Sequence, residues 1–223
     1  MKVAVCLCGY IRTWEHTKRN FMKIFCKDVE VDLFVHTYFQ NYYEYSSRKE
    51  NVIYSEEEII DMFDGMNLKD IIIEDRNIIL PGIIKDSDKY KDIKNFSNTI
   101  RDSSDPNSQS LDNGVRIYDQ FRKIELCNNL RKEYEKENNV EYDIVVKTRF
   151  DILYFRSPNW ESLKDGQLHT EKGTTAGYPP DGVIFGTPEV MDKAFFTRWS
   201  ELELLMRSPI LPGGNCNCGN ILP

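Results

Sequence analysis

The segment Lys2–Cys8 is apolar on both faces: Val3, Val5 and Leu7 on one side, Ala4, Cys6 and Cys8 on the other. An extended segment with two apolar faces must be covered on both, as the central strand of a parallel sheet is. Gly9, Tyr10, Ile11 and Arg12 then turn the chain. Gly9 permits a tight bend or close approach to a ligand. Trp14, Phe21, Ile24 and Phe25 follow at helical spacing, and residues 31–36 form a second apolar run ending in His36 and Thr37. Strand, loop, helix and strand with short connections make a βαβ unit. The expected class is α/β, a mainly parallel, twisted sheet flanked by helices, in a single domain over residues 1–223.

The stretch that organises the rest is residues 142–154, YDIVVKTRFDILY. A β-branched apolar run gives way to Thr148, Arg149 and Asp151, and apolar residues resume at Ile152. Charges are rarely buried without partners, because desolvation is costly. In open α/β sheets, ligands bind at the carboxyl ends of strands. Arg149 and Asp151 therefore read as the working end of a central strand, the bland alternative being an internal ion pair that pins the strand end.

The remaining elements support this frame. Residues 38–45, YFQNYYEY, read as a loop packed by its own tyrosines or as the wall of a sugar or base pocket. Ser55 followed by Glu58 is a capping box opening a helix through Ile59, Ile60 and Phe63, and residues 71–74 are a short strand. Residues 86–110 are polar and turn-rich, a long surface loop and candidate lid. Ile117, Phe121, Ile124, Cys127, Leu130 and Tyr134 form the apolar stripe of a long helix, with Arg116, Arg122, Lys123 and Glu125 covering its other faces. Residues 167–169 and 183–185 suggest short strands. Thr187 and Pro188 open a helix running through Met191, Phe195, Trp199 and Leu202.

Composition excludes some functions. The 36 acidic and 29 basic residues give a net charge of -7, against the basic face that a nucleic-acid binder needs. No run reaches the roughly 18 apolar residues of a membrane span, and no secretory signal follows Val3 and Leu7 before Arg12 intervenes. The six cysteines mostly sit in apolar patterns, as buried reduced thiols do, so the expected compartment is the cytoplasm. Cys6 with Cys8 and Cys216 with Cys218 lack the usual spacing of a zinc site.

Four segments, MKVAVCLCGYIRTW, DLFVHTY, YDIVVKTRFDILY and PDGVIFGTPEVMD, occur in an order that resembles GT-A-fold glycosyltransferases of large DNA viruses and bacterial polysaccharide systems. The resemblance covers Met1 to about Phe196. It implies a GT-A-like, Rossmann-like fold and transfer of a sugar from a nucleotide diphosphate, UDP expected, to a carbohydrate acceptor. It also implies a divalent metal, Mn²⁺ or Mg²⁺, to neutralise the leaving diphosphate. Asp151 matches the metal-binding carboxylate of the family's Asp-x-Asp motif, while Arg149 replaces the first aspartate and is expected on the diphosphate.

Gly9, Tyr10 and Arg12 are expected to line the nucleotide, with Arg12 on phosphate; otherwise they are a plain turn with a surface arginine. His36 and Thr37 are expected beside the nucleotide, or else as a buried strand end. Asp181 is the expected general base for an inverting transfer, or a turn residue before Gly182; Glu189 and Asp192 are weaker candidates. Lys147 and Tyr178 are expected helpers on phosphate or acceptor. The chain ends at Ile221, Leu222 and Pro223 without a closing helix, which suggests one domain of a longer protein with further domains as partners. Two other functions compete: a sugar nucleotidyltransferase, for which the first loop lacks a glycine-rich basic signature, and a non-catalytic module binding a nucleotide or glycan.

Overall fold

The structure, a computed structural model, describes residues 1–45, 48–79, 110–160, 163, 166–170 and 182–193. Residues 41–45, 48–51 and 110–118 are described by their backbone alone. The elements in order are β1 (Lys2–Cys8), α1 (Trp14–Asn20), β2 (Glu30–Tyr38), β3 (Gln40–Tyr45), β4 (Arg48–Ile53), α2 (Glu56–Asp61) and β5 (Leu68–Glu74). Then follow α3 (Ser110–Asn138), β6 (Ile144–Thr148), β7 (His169–Thr170), β8 (Ile184–Gly186) and α4 (Pro188–Met191).

Six strands form one sheet in the order β5-β2-β1-β6-β8-β7. The β1–β2, β1–β6 and β2–β5 pairings are parallel, whereas β8 runs antiparallel to both β6 and β7. The fold is thus α/β with a mixed, mostly parallel sheet. The doubly apolar segments take the centre, as expected: every residue from Val3 to Cys8 and from Ile144 to Thr148 is buried. Val3, Val5, Leu7, Ile144 and Val146 face a layer built on Trp14, Phe21, Phe25, Ile59 and Phe63. Ala4, Cys6, Cys8 and Val145 face Ile124, Cys127 and Leu130 of α3. From β1 the chain moves outward to β2 and β5, then returns to place β6 on the other side of β1. That reversal makes the carboxyl ends of β1 and β6 a topological switch point, the kind of place where open α/β sheets bind ligands.

Three expectations need correction. The tyrosine-rich segment is not a loop: β3 and β4 pair antiparallel as a two-stranded hairpin, Gln40 opposite Ile53 through Tyr45 opposite Arg48. Tyrosine favours extended backbone, and ladder hydrogen bonds satisfy that backbone as a loop cannot. The first helix does not continue as an α-helix: it widens into a π-helical turn over Phe21–Phe25, where the Cys26 N–H reaches Phe21 O, five residues back, and Phe21 and Phe25 are buried in the core. Lys123 does not cover the outer face of α3; it is buried, as are Asp119, Asn128 and Arg131. The Ser55–Glu58 capping box forms as read. Thr187 occupies the cap of α4 without a side-chain hydrogen bond. The proposed lid, Tyr178, Asp181, Cys216 and Cys218 lie outside the described residues. Among the described residues, no helix is long and apolar enough to cross a membrane.

Candidate functional site

The strand tip is held in place by α1. After Thr148 the side chains alternate, so that Phe150 turns inward while Arg149 and Asp151 stay part-exposed. Phe150 packs edge-on against Trp14, with ring centroids 5.5 Å apart. The Thr17 hydroxyl donates to the Phe150 carbonyl. Asn20 bridges the Tyr154 backbone: its Oδ1 accepts from the Tyr154 N–H at 2.7 Å, and its Nδ2 donates to the Tyr154 carbonyl at 2.9 Å. The first helix is therefore stapled to residues 150–154 by one aromatic contact and three hydrogen bonds. Arg12, just ahead of that helix, is carried to Asp151, 139 residues later in the chain.

One carboxylate and two guanidinium groups meet there. Arg149 Nε donates to Asp151 Oδ1 at 2.9 Å and its NH2 to Oδ2 at 2.8 Å, a bidentate fork. Arg12 NH1 donates to the same Oδ2 at 3.0 Å. Burial pushes the Asp151 carboxyl up, but Arg149, and then Arg12, outweigh it and hold it below the usual carboxylate range. The trio carries a net positive charge. Arg12 sits at φ +42°, in the left-handed region that a non-glycine residue enters only at a cost. Gly9, at φ +132°, needs its missing side chain for conformation alone, since a Cβ there would meet nothing within 4 Å. Its N–H donates to the His36 carbonyl at 3.1 Å, tying the first loop to β2.

Beside this trio lies a second layer of charge around two tyrosines. Tyr10 is half-buried, 5.3 Å from Tyr38. Arg12, Arg76 and Lys123 stand over the Tyr10 ring at 5.7, 6.0 and 4.8 Å. Lys123 pairs with Asp119 at 2.9 Å, and the Tyr38 hydroxyl donates to Asp119. Burial lowers the Lys123 pKa against the pull of Asp119 and raises that of Tyr38, which Asp119 raises further. Arg122 clasps Glu74 with both terminal nitrogens. Burial pushes the Glu74 carboxyl up, yet His36 and Arg122 together hold it down at about 2.

The expected residues fare differently. Gly9, Tyr10, Arg12, Arg149 and Asp151 come together at one strand tip. His36 and Thr37 are fully buried, and the His36 carbonyl accepts from the Gly9 N–H. His36 Nε2 is 3.0 Å from Glu74, though off the ring N–H direction of an aligned hydrogen bond. Burial lowers its pKa despite Glu74, so it is neutral at pH 7 and Arg122 is the charge partner of Glu74. The Thr37 hydroxyl has no hydrogen-bond partner among the described residues. Lys147 is buried in β6, registered beside Cys6 and Ile184.

Glu189 and Asp192 belong to the other end of the sheet. Asp192 is held by Arg131 at 2.7 Å and Lys132 at 3.2 Å, and both residues line a groove between α3 and α4 with Glu135 and Tyr142. Sequence reasoning missed Thr17, Asn20, Asp119 and Lys123. Asp119 and Lys123 stand at i,i+4, a spacing that usually marks a surface pair.

As the described residues stand, the Asp151 carboxylate is not free to take a divalent ion. Mg²⁺ and Mn²⁺ take carboxylate and carbonyl oxygens, and both Asp151 oxygens accept from guanidinium groups. Arg12 and Arg149 are part-exposed, and guanidinium is a donor whose planar geometry suits phosphate and carboxylate oxygens. Comparison with known proteins adds no label: no family model matches the chain, and no curated protein does.

Proposed function

We propose that the chain is a GT-A-like glycosyltransferase that moves a sugar from a nucleoside diphosphate, UDP first, to a carbohydrate acceptor. The observation that carries this reading is the meeting of Arg12, Arg149 and Asp151 at the reversal point between β1 and β6. In such a transfer the diphosphate gains charge as the glycosidic bond breaks. Preorganised donors aimed at that charge lower the barrier. Arg12 and Arg149 take this role, Gly9 lets the first loop approach the nucleotide, and Tyr10 flanks it. Asp181 is the proposed base that accepts the acceptor hydroxyl's proton.

The experiment is a thermal-shift screen of nucleotides and nucleotide sugars, followed by assay of nucleoside diphosphate release. A ligand that binds only the folded state raises Tm. A UDP-selective shift and slow UDP release from one UDP-sugar support the reading; pyrophosphate release from a nucleoside triphosphate and sugar phosphate would point to nucleotidyl transfer instead. A second reading is favoured by one fact: the only carboxylate of the trio is bound to two arginines and offers no general base. A non-catalytic nucleotide-binding module would give the thermal shift without any donor hydrolysis.

A further inference from the structure

We infer that residues 153–156, just past the strand tip, are a weak docking point for the surface of an anionic lipid bilayer. The inference is independent of the sugar-transfer reading, because it uses none of the residues to which that reading gives a role.

Tyr154 anchors the segment. Its N–H donates to Asn20 at 2.7 Å, and its carbonyl accepts from Asn20 at 2.9 Å. Its hydroxyl shares a hydrogen bond with the Thr148 hydroxyl at 2.6 Å. Its ring packs on Phe25, with centroids 4.6 Å apart, and on Phe21 at 5.9 Å. A residue tied at backbone, ring and hydroxyl leaves its two neighbours little choice of direction. Both are apolar and both face water: Leu153 is 57% exposed and Phe155 95%. Among the described residues, no large apolar side chain is more exposed than Phe155. A phenylalanine left in water forgoes the favourable transfer that burial gives. Here the fold fixes its backbone neighbour so that it cannot collapse inward.

The charges beside this pair select the partner. Arg156 follows Phe155 and is exposed; Lys23, three residues on from the Asn20 that grips Tyr154, is exposed too. Neither is in an ion pair among the described residues. Lys27 is 64% exposed and only loosely paired with Asp28, at 4.0 Å. Apolar tips flanked by cations match a bilayer with anionic headgroups: the tips enter the headgroup–acyl boundary, and the cations stay at the phosphates. A second copy of the chain fits less well. Two apolar side chains fall far short of the roughly 800 Å² that each partner gives to a stable interface, and lysine is depleted from interface cores. The chain's net charge of -7 opposes approach to an anionic surface, so contact depends on this local face and weakens with salt. A bilayer held there lies beside the strand tip, because Leu153 is two residues past Asp151.

The test is sedimentation of the full chain with vesicles of phosphatidylcholine alone and with vesicles containing about one-third phosphatidylglycerol. Melting curves confirm that each variant folds; substitutions at such exposed positions should leave Tm unchanged. The expected result is reversible partition onto the anionic vesicles, about tenfold weaker onto the neutral ones. Phe155→Ser should weaken partition about tenfold, and the double variant Lys23→Glu, Arg156→Glu should remove the preference for anionic lipid. Tryptophan emission of a Phe155→Trp variant should shift to the blue on anionic vesicles and not on neutral ones. Absence of partition onto anionic vesicles, or partition that Phe155→Ser leaves unchanged, overturns the inference. Self-association that Phe155→Ser abolishes, without partition onto vesicles, also overturns it and makes the pair a contact between copies. None of these outcomes alters the case for sugar transfer, which nucleotide binding and donor hydrolysis decide.

Discussion

Asp32 and Asp151 each hold two cations, at opposite ends of the same sheet, and they do different things. Asp32 lies near the amino end of β2, fully buried, with Lys2 at 3.3 Å and Lys69 at 3.7 Å. Two neutral donors complete its shell: the Tyr142 hydroxyl at 2.7 Å and the Asn67 amide. Asp151 follows β6 at the carboxyl end. Its cations are arginines, all three groups are part-exposed, and one arginine has left-handed backbone. The first cluster is closed: its carboxylate is satisfied by donors that regular strands and a core tyrosine provide. The second is part-exposed and lies where the sheet order reverses. The difference teaches that charge count alone does not describe an ion cluster; exposure, donor type and backbone strain set these two apart.

The sharpest way to break this contrast is Asp32→Ala. Removing a buried partner strands charges and a hydroxyl, and should cost about 3–5 kcal/mol in urea unfolding. A loss under about 1 kcal/mol would mean that the closed cluster is no more structural than the part-exposed one. Next comes acid. Glu74 ordinarily titrates at 4.5, and its folded value is held down at about 2. A depressed carboxylate contributes its full stability above the unfolded pKa and loses it as pH falls through the folded one. Stability should therefore drop by about 2–3 kcal/mol between pH 5 and pH 2 on account of this residue. In Glu74→Gln that part of the slope should vanish; an unchanged slope would show that Glu74 is not held as described.

Thr17→Val removes the hydrogen bond to Phe150 and leaves a buried carbonyl unpaired, an expected cost of about 1–2 kcal/mol. It should also weaken UDP binding, because Arg12 depends on α1 being stapled to residues 150–154. Destabilisation with unchanged UDP affinity would show that the staple does not set the site. The smallest effect belongs to Asp151→Asn, expected below about 1 kcal/mol because its ion pairs are part-exposed. That small stability effect, set beside the large one at Asp32, is the clearest statement of the contrast.

Much of the frame was legible in the chain. β1 and β6 were readable because burial on both faces forces a continuous apolar run, and the capping box of α2 because its reciprocal hydrogen bonds need Ser55 and Glu58 at fixed spacing. Arg149 and Asp151 stood out as charges against an apolar run, and Arg12 by its place after the first strand. The antiparallel direction of β8 was not readable: three residues carry no directional signal. The β3–β4 hairpin was hidden because tyrosines and polar residues mask any two-residue alternation. Asp119 and Lys123 were hidden for a different reason. A lysine and an aspartate one turn apart look like solvated helix surface until tertiary packing covers them with Tyr10 and Tyr38.

The most direct test of the central claim is a crystal structure of the chain with UDP bound. The account predicts diphosphate oxygens within hydrogen-bond distance of both the Arg12 and Arg149 guanidinium groups, between the carboxyl ends of β1 and β6. UDP seated in the groove between α3 and α4, with Arg12, Asp151 and Arg149 bonded to one another as before, would contradict it.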